Sequence, residues 1–158
     1  MSRFRATARG VEATLLGPEI ALLARLGGLL GSAGAKKGDP ATARLMPDIY
    51  PKDEQASRDF RRLVGKERVE ARSADREVFG RGLEAALTGP VFLTADEAAA
   101  WARMIGEARV VLAARKGLFD TGLPDGEVED PEVAFVMFLG VVQEELVSEM
   151  LLIMEEPK

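Results

Sequence analysis

The chain has 158 residues, 47% of them hydrophobic and 30% charged, and carries a net charge of −5. That length suits a single domain, residues 1–158, with a core of useful size, and the composition excludes a disordered chain. Cysteine and histidine are both absent, which removes disulfides, thiolate metal sites, thiol switches and the commonest general bases and nucleophiles. Residues 3–8 and 11–15 alternate loosely around Arg9-Gly10 and predict a small N-terminal β-hairpin. Gly17-Pro18-Glu19 opens a helix, with Pro in the first turn and Glu19 complementing the helix dipole. Ile20, Leu22, Leu23, Leu26, Leu29 and Leu30 give that helix an apolar face, and Gly27, Gly28, Gly31 and Gly34 weaken it and mark its end.

Residues 35–53 read as a loop broken by Pro40, Pro47 and Pro51, with one helical turn at 41–45. A long charged helical region follows over 54–87, with a break or bend expected at Gly65. Its middle is poor in apolar residues and is expected at the surface or at an interface. Gly89-Pro90 ends it, and Val91-Phe92-Leu93 is a candidate third strand. Thr94 and Glu97 form a capping box for a helix reaching Lys116, with Ala98, Trp101, Ile105, Ala108 and Leu112 on one face. Residues 120–130 read as an acidic, turn-rich loop. Asp130-Pro131 starts the last helix, which ends near Met154 and is apolar almost all round between Val133 and Val142. Such a helix is expected to divide its faces between the core and a homodimer interface. The fold class is therefore mainly α, with about five helices and the small hairpin.

The candidate functional residues are few. Arg58, Arg61, Arg62, Lys66, Arg68, Arg72 and Arg76 line the long helix, and Arg68, Arg72 and Arg76 recur at i, i+4 along one face. A row of that kind suits phosphates or an acidic protein. Interleaved Asp59, Glu67, Glu70, Asp75 and Glu77 favour instead a salt-bridged solvent face. Glu144, Glu145 and Glu149 form one carboxylate cluster, and the solvated stripe of an amphipathic helix is the preferred reading of it. The loop at 120–130 lacks the order of a calcium-binding loop, and residues 28–38 lack the spacing of a phosphate loop. No catalytic residue, metal or cofactor is assigned. Trp101 and Arg109 are placed in the structural core, with Arg109 paired to a carboxylate at its edge. No apolar stretch reaches the ~20 residues of a membrane span, and a cytoplasmic address is expected.

Asp39-Pro40-x3-Arg44-Leu45-Met46-Pro47-Asp48-Ile49-Tyr50, followed by Asp53 and Phe60-Arg61-x-Leu63, resembles an actinobacterial oxidative stress regulator family long catalogued as a domain of unknown function. Glu19-x2-Leu22-Leu23-x2-Leu26, Trp101-x5-Glu107-x-Arg109 and Gln143-Glu144-x-Leu146-Val147 agree with it in order. The resemblance implies a cytoplasmic regulatory protein that adjusts transcription under oxidative stress in association with an alternative sigma factor, with a second role near Clp proteolysis; the missing His and Cys side chains make it a non-enzymatic one. The partner-binding residues expected are Arg44, Pro47, Tyr50, Arg61, Arg62, Arg68, Arg72 and Arg76. DNA binding by the arginine face is the alternative. Without cysteine, any oxidant sensing by this chain falls to its methionines.

Overall fold

The computed structural model describes residues 2–32, 40 and 53–155; within these, the side chains at 31, 32, 57, 60–69, 154 and 155 are not described. Strands β1 (Phe4–Ala6), β2 (Gly10–Ala13) and β3 (Val91–Thr94) form an antiparallel sheet in the order β1-β2-β3. The helices whose spans lie among the described residues are α1 (Gly17–Ser32), α2 (Glu54–Ala86), α3 (Ala95–Arg115), the four-residue α4 (Leu118–Thr121) and α5 (Pro131–Glu155). The mainly helical class thus holds, and the candidate third strand pairs with β2, placing Leu93 opposite Val11. The strands are shorter than the alternation suggested, because the Thr7 N–H closes a turn on the Gly10 carbonyl at 2.8 Å.

Helix α1 runs through Gly27 and Gly28 to Ser32, within the end that Gly31 and Gly34 mark in the sequence; Leu26 and Leu30 on its inner face are buried, and tertiary packing outweighs the propensity cost of glycine. Two differences from expectation concern the other helices. Helix α2 is one continuous helix across Gly65. The short α4 is not among the expected helices, and its last two residues overlap the start of the loop read over 120–130. Of the 35–53 loop with its helical turn at 41–45, all but residues 40 and 53 lies outside the described residues.

Helix ends follow local chemistry. The Asp53 side chain accepts the Ala56 N–H at 3.0 Å, and Thr94 and Glu97 make the reciprocal capping box at 3.2 and 3.0 Å. Asp130 accepts the Glu132 N–H at 2.9 Å at the start of α5 and meets Lys116 Nζ at 2.6 Å. The hydrogen bond from Lys116, with that from the Glu132 backbone, holds the Asp130 carboxyl below its ordinary range. Its contribution to stability is therefore present above the ordinary carboxylate pKa and fades as pH falls through the lowered one.

Helix α3 is the hub, packing on α1, α2, α5 and the sheet. Its predicted face of Ala98, Trp101, Ile105, Ala108 and Leu112 is buried throughout. Trp101 has no exposure; its ring meets Phe79 of α2 at 4.8 Å and Phe4 of β1 edge-on at 6.4 Å. Gly82 lets α2 approach that closely: a Cβ there would stand 2.6 Å from Trp101 Cζ2. The indole N–H has no acceptor among the described residues, so the ring serves as apolar mass and a packing surface.

Arg3 ties the hairpin to two helices. It pairs with Glu19 of α1 and with Glu145 of α5, at 2.9 Å to the latter, and lies 5.6 Å over the Phe138 ring. Two glycines of α2 provide the test of this packing. Gly80 faces open space, so Gly80→Ala should stabilise the chain by about 0.5–1 kcal/mol through helix propensity. Gly82→Ala, two residues on, should cost about 1–3 kcal/mol by driving against a rigid ring. Urea unfolding of both variants checks the opposite signs.

Candidate functional site

Helix α5 carries apolar residues on both its buried and its exposed sides. Phe135, Leu139, Val142 and Leu146 are buried on one side. On the other, Met137, Val141, Leu151 and Leu152 are exposed, the last three by half. The core side of the expected division is present, and what meets the outer side is a matter for proposal.

Beside this face lies a cleft between α3, α4 and α5 of about 420 Å³. Arg109 and Gln143 form its polar wall; Val110, Val136, Phe119 and Leu123 are among its apolar residues. A neighbouring hollow of about 470 Å³ shares Arg109, Gln143, Val136 and Leu123 and adds Val141, Val147 and the exposed Glu144. Arg109 Nη1 donates to Gln143 Oε1 at 2.7 Å, and Gln143 Nε2 donates to the Ala102 carbonyl at 3.3 Å. Among the described residues no carboxylate pairs with Arg109, contrary to the expected pairing. Its acceptor is a neutral amide, and its Nε is buried without an acceptor among the described residues.

Glycines on both facing helices make this arrangement fit. A Cβ on Gly140 would stand 3.3 Å from Arg109 Nη2, and one on Gly106 would stand 2.7 Å from Gln143 Nε2. Isolated glycines inside α3 and α5 are the sequence signal for this site. Trp101, by contrast, sits in the core as expected, on the sheet side of α3.

The arginine row is partly engaged. Arg72 pairs with Glu107 of α3 at 3.3 Å, and Asp75 accepts from Arg103 at 2.8 Å, so charges of α2 and α3 cross-link the two helices. Arg76 is exposed at its end, with its stem against α1 near Gly27. Arg61, Arg62 and Arg68 lie on α2, but their side chains are outside the described ones, and Arg44, Pro47 and Tyr50 lie outside the described residues altogether. Of the carboxylate cluster, Glu145 is held by Arg3. Among the described residues no group of three acidic side chains converges as a metal site, and no helix is long and apolar enough to cross a membrane.

Replacing Gln143 tests the polar wall. Gln143→Leu should destabilise the chain by about 1–3 kcal/mol, because it strips the acceptor from a half-buried cation. Gln143→Glu restores a charged acceptor and should stay within about 1 kcal/mol of the parent in the same denaturation assay.

A family model described as Domain of unknown function (DUF2017) matches residues 1–150. No curated protein and no solved structure matches the chain.

Proposed function

The chain belongs to the family described as domain of unknown function (DUF2017), and from that premise and the geometry of α5 we propose that it is a non-enzymatic regulatory protein that acts by binding other proteins. The observation that carries this reading is the outer face of α5. Met137, Val141, Leu151 and Leu152 lie exposed on a helix whose opposite side is fully committed to the core. Leaving large aliphatic side chains in water forfeits about 25 cal/mol for each Å² of apolar surface, and a clustered row of them is the mark of an association surface. The occupant proposed is a second copy of the chain, since the same stripe on two antiparallel helices is self-complementary about a twofold axis. Glu144 and Ser148 lie between the apolar positions and give such an interface a polar strip.

The resemblance to the oxidative stress regulators supplies the second partner, an alternative sigma factor met in the cytoplasm. The residues proposed to meet it are Arg44, Pro47 and Tyr50, with Arg61, Arg62, Arg68 and Arg76 of α2. The exposed Arg76 supports this reading, whereas the pairing of Arg72 with Glu107 assigns that residue to the fold. Direct DNA binding is less favoured, because a continuous row would need Arg72 free and the mean charge is negative. A link to Clp proteolysis has no structural feature in its support.

Sedimentation equilibrium tests the self-association. The parent chain should sediment as a dimer, and Leu151→Asp combined with Leu152→Asp should sediment as a monomer with unchanged helical content. A parent chain that remains monomeric at high micromolar concentration contradicts the reading. For the second partner, Arg44→Ala with Tyr50→Ala should weaken capture of the sigma factor by purified chain about tenfold or more, equivalent to at least ~1.4 kcal/mol. Unchanged capture would place the contact elsewhere.

A further inference from the structure

The cleft between α3, α4 and α5 has the features of a small-molecule site that the protein-binding reading does not use. Arg109 is its distinguishing group. Arg3, Arg5, Arg25, Arg72 and Arg103 each meet a carboxylate of the chain. Arg109, half-buried at the cleft wall, meets only the neutral Gln143 amide among the described residues. That amide is itself oriented by the Ala102 carbonyl, so it presents oxygen to the guanidinium and fixes the cation without neutralising it. Gly106 and Gly140 keep the surrounding helix surfaces bare, and a side chain at either would crowd the pair. A planar guanidinium held with donors to spare is the group that recognises a carboxylate by paired hydrogen bonds.

The rest of the cleft decides what the carboxylate is attached to. Val110, Val136, Phe119 and Leu123 make the walls apolar, and about 420 Å³ lies within the range of sites for small ligands. The exposed Glu144 on the rim of the adjoining hollow, and a net charge of −5, disfavour a second negative group on the ligand. We infer that the cleft binds a small monocarboxylate with an apolar body, its carboxylate on Arg109 and its hydrocarbon part against Val110, Val136 and Leu123. The inference does not rest on the pairing of two copies, since Leu151 and Leu152 are no part of the cleft.

Octanoate is the probe, titrated calorimetrically into the full chain, with octylamine and octanol as charge controls. Octanoate should bind and raise the melting temperature, and octylamine should do neither. Gln143→Glu, which gives Arg109 an internal carboxylate, should lower octanoate affinity about tenfold or more. Leu123→Glu places a negative charge at the exposed mouth, away from the core, and should lower it likewise even if Gln143→Glu is poorly folded. Absence of octanoate binding at millimolar concentration overturns the inference. So does equal binding of octylamine, which would mean an apolar hollow only, or octanoate affinity unchanged in both variants. The dimer-breaking Leu151/Leu152 variant should bind octanoate as the parent does, so failure of one proposal is distinguishable from failure of the other.

Discussion

The packing of Trp101 sets the geometry on which the rest of the molecule depends. One fully buried indole touches β1 through Phe4 and α2 through Phe79 and Gly82, and so locks the sheet and α2 around α3. A three-stranded sheet with strands of three or four residues has little stability by itself. It persists here because Phe4, Val11, Ala13 and Leu93 share one buried face against the helices. With the Trp101 stripe of α3 fixed in this way, its flank carries Arg109 towards Gln143 of α5, and the position of the cleft follows.

Charged groups then act as links between elements rather than as chemistry. Arg3 joins the hairpin to α1 and α5, Arg25 of α1 reaches Glu132 and lies 4.6 Å over Phe135, and Arg72 and Arg103 join α2 to α3. Exposed pairs of this sort each contribute at most about 1 kcal/mol. Their larger consequence is that Glu19, Glu107, Asp75 and Glu145 are engaged. Among the described residues Arg109 and the outer side of α5 stand apart from this pattern, one a cation paired with no acid, the other an apolar surface that nothing covers. The proposals for binding rest on those two exceptions.

Much of the fold was legible in the sequence because its signals are local. The capping box at Thr94 and Glu97, the proline-led starts of α1 and α5, and the stripe from Ala98 to Leu112 each follow from spacing alone. The all-apolar run in α5 indicated two buried or shared surfaces but not which residues face out; that depended on where α3 lies. The site was less legible. Arg109 and Gln143 are 34 residues apart, and no periodicity announces that a glutamine will replace the expected carboxylate. Both residues stood in the fragments that carry the family resemblance, yet their meeting is a property of the α3–α5 packing. The α4 segment was hidden because four residues between glycines carry the composition of a turn.

The central claim is that α5 is shared between this chain's own core and a second copy. Isotope-filtered NOE spectroscopy on a mixture of labelled and unlabelled chains tests it most directly, because only contacts between copies give signals. The account predicts cross-copy contacts from the methyl groups of Val141, Leu151 and Leu152, and none from the buried Leu139 or Leu146. Cross-copy signals absent from α5, in a sample whose relaxation shows a monomer, would contradict it.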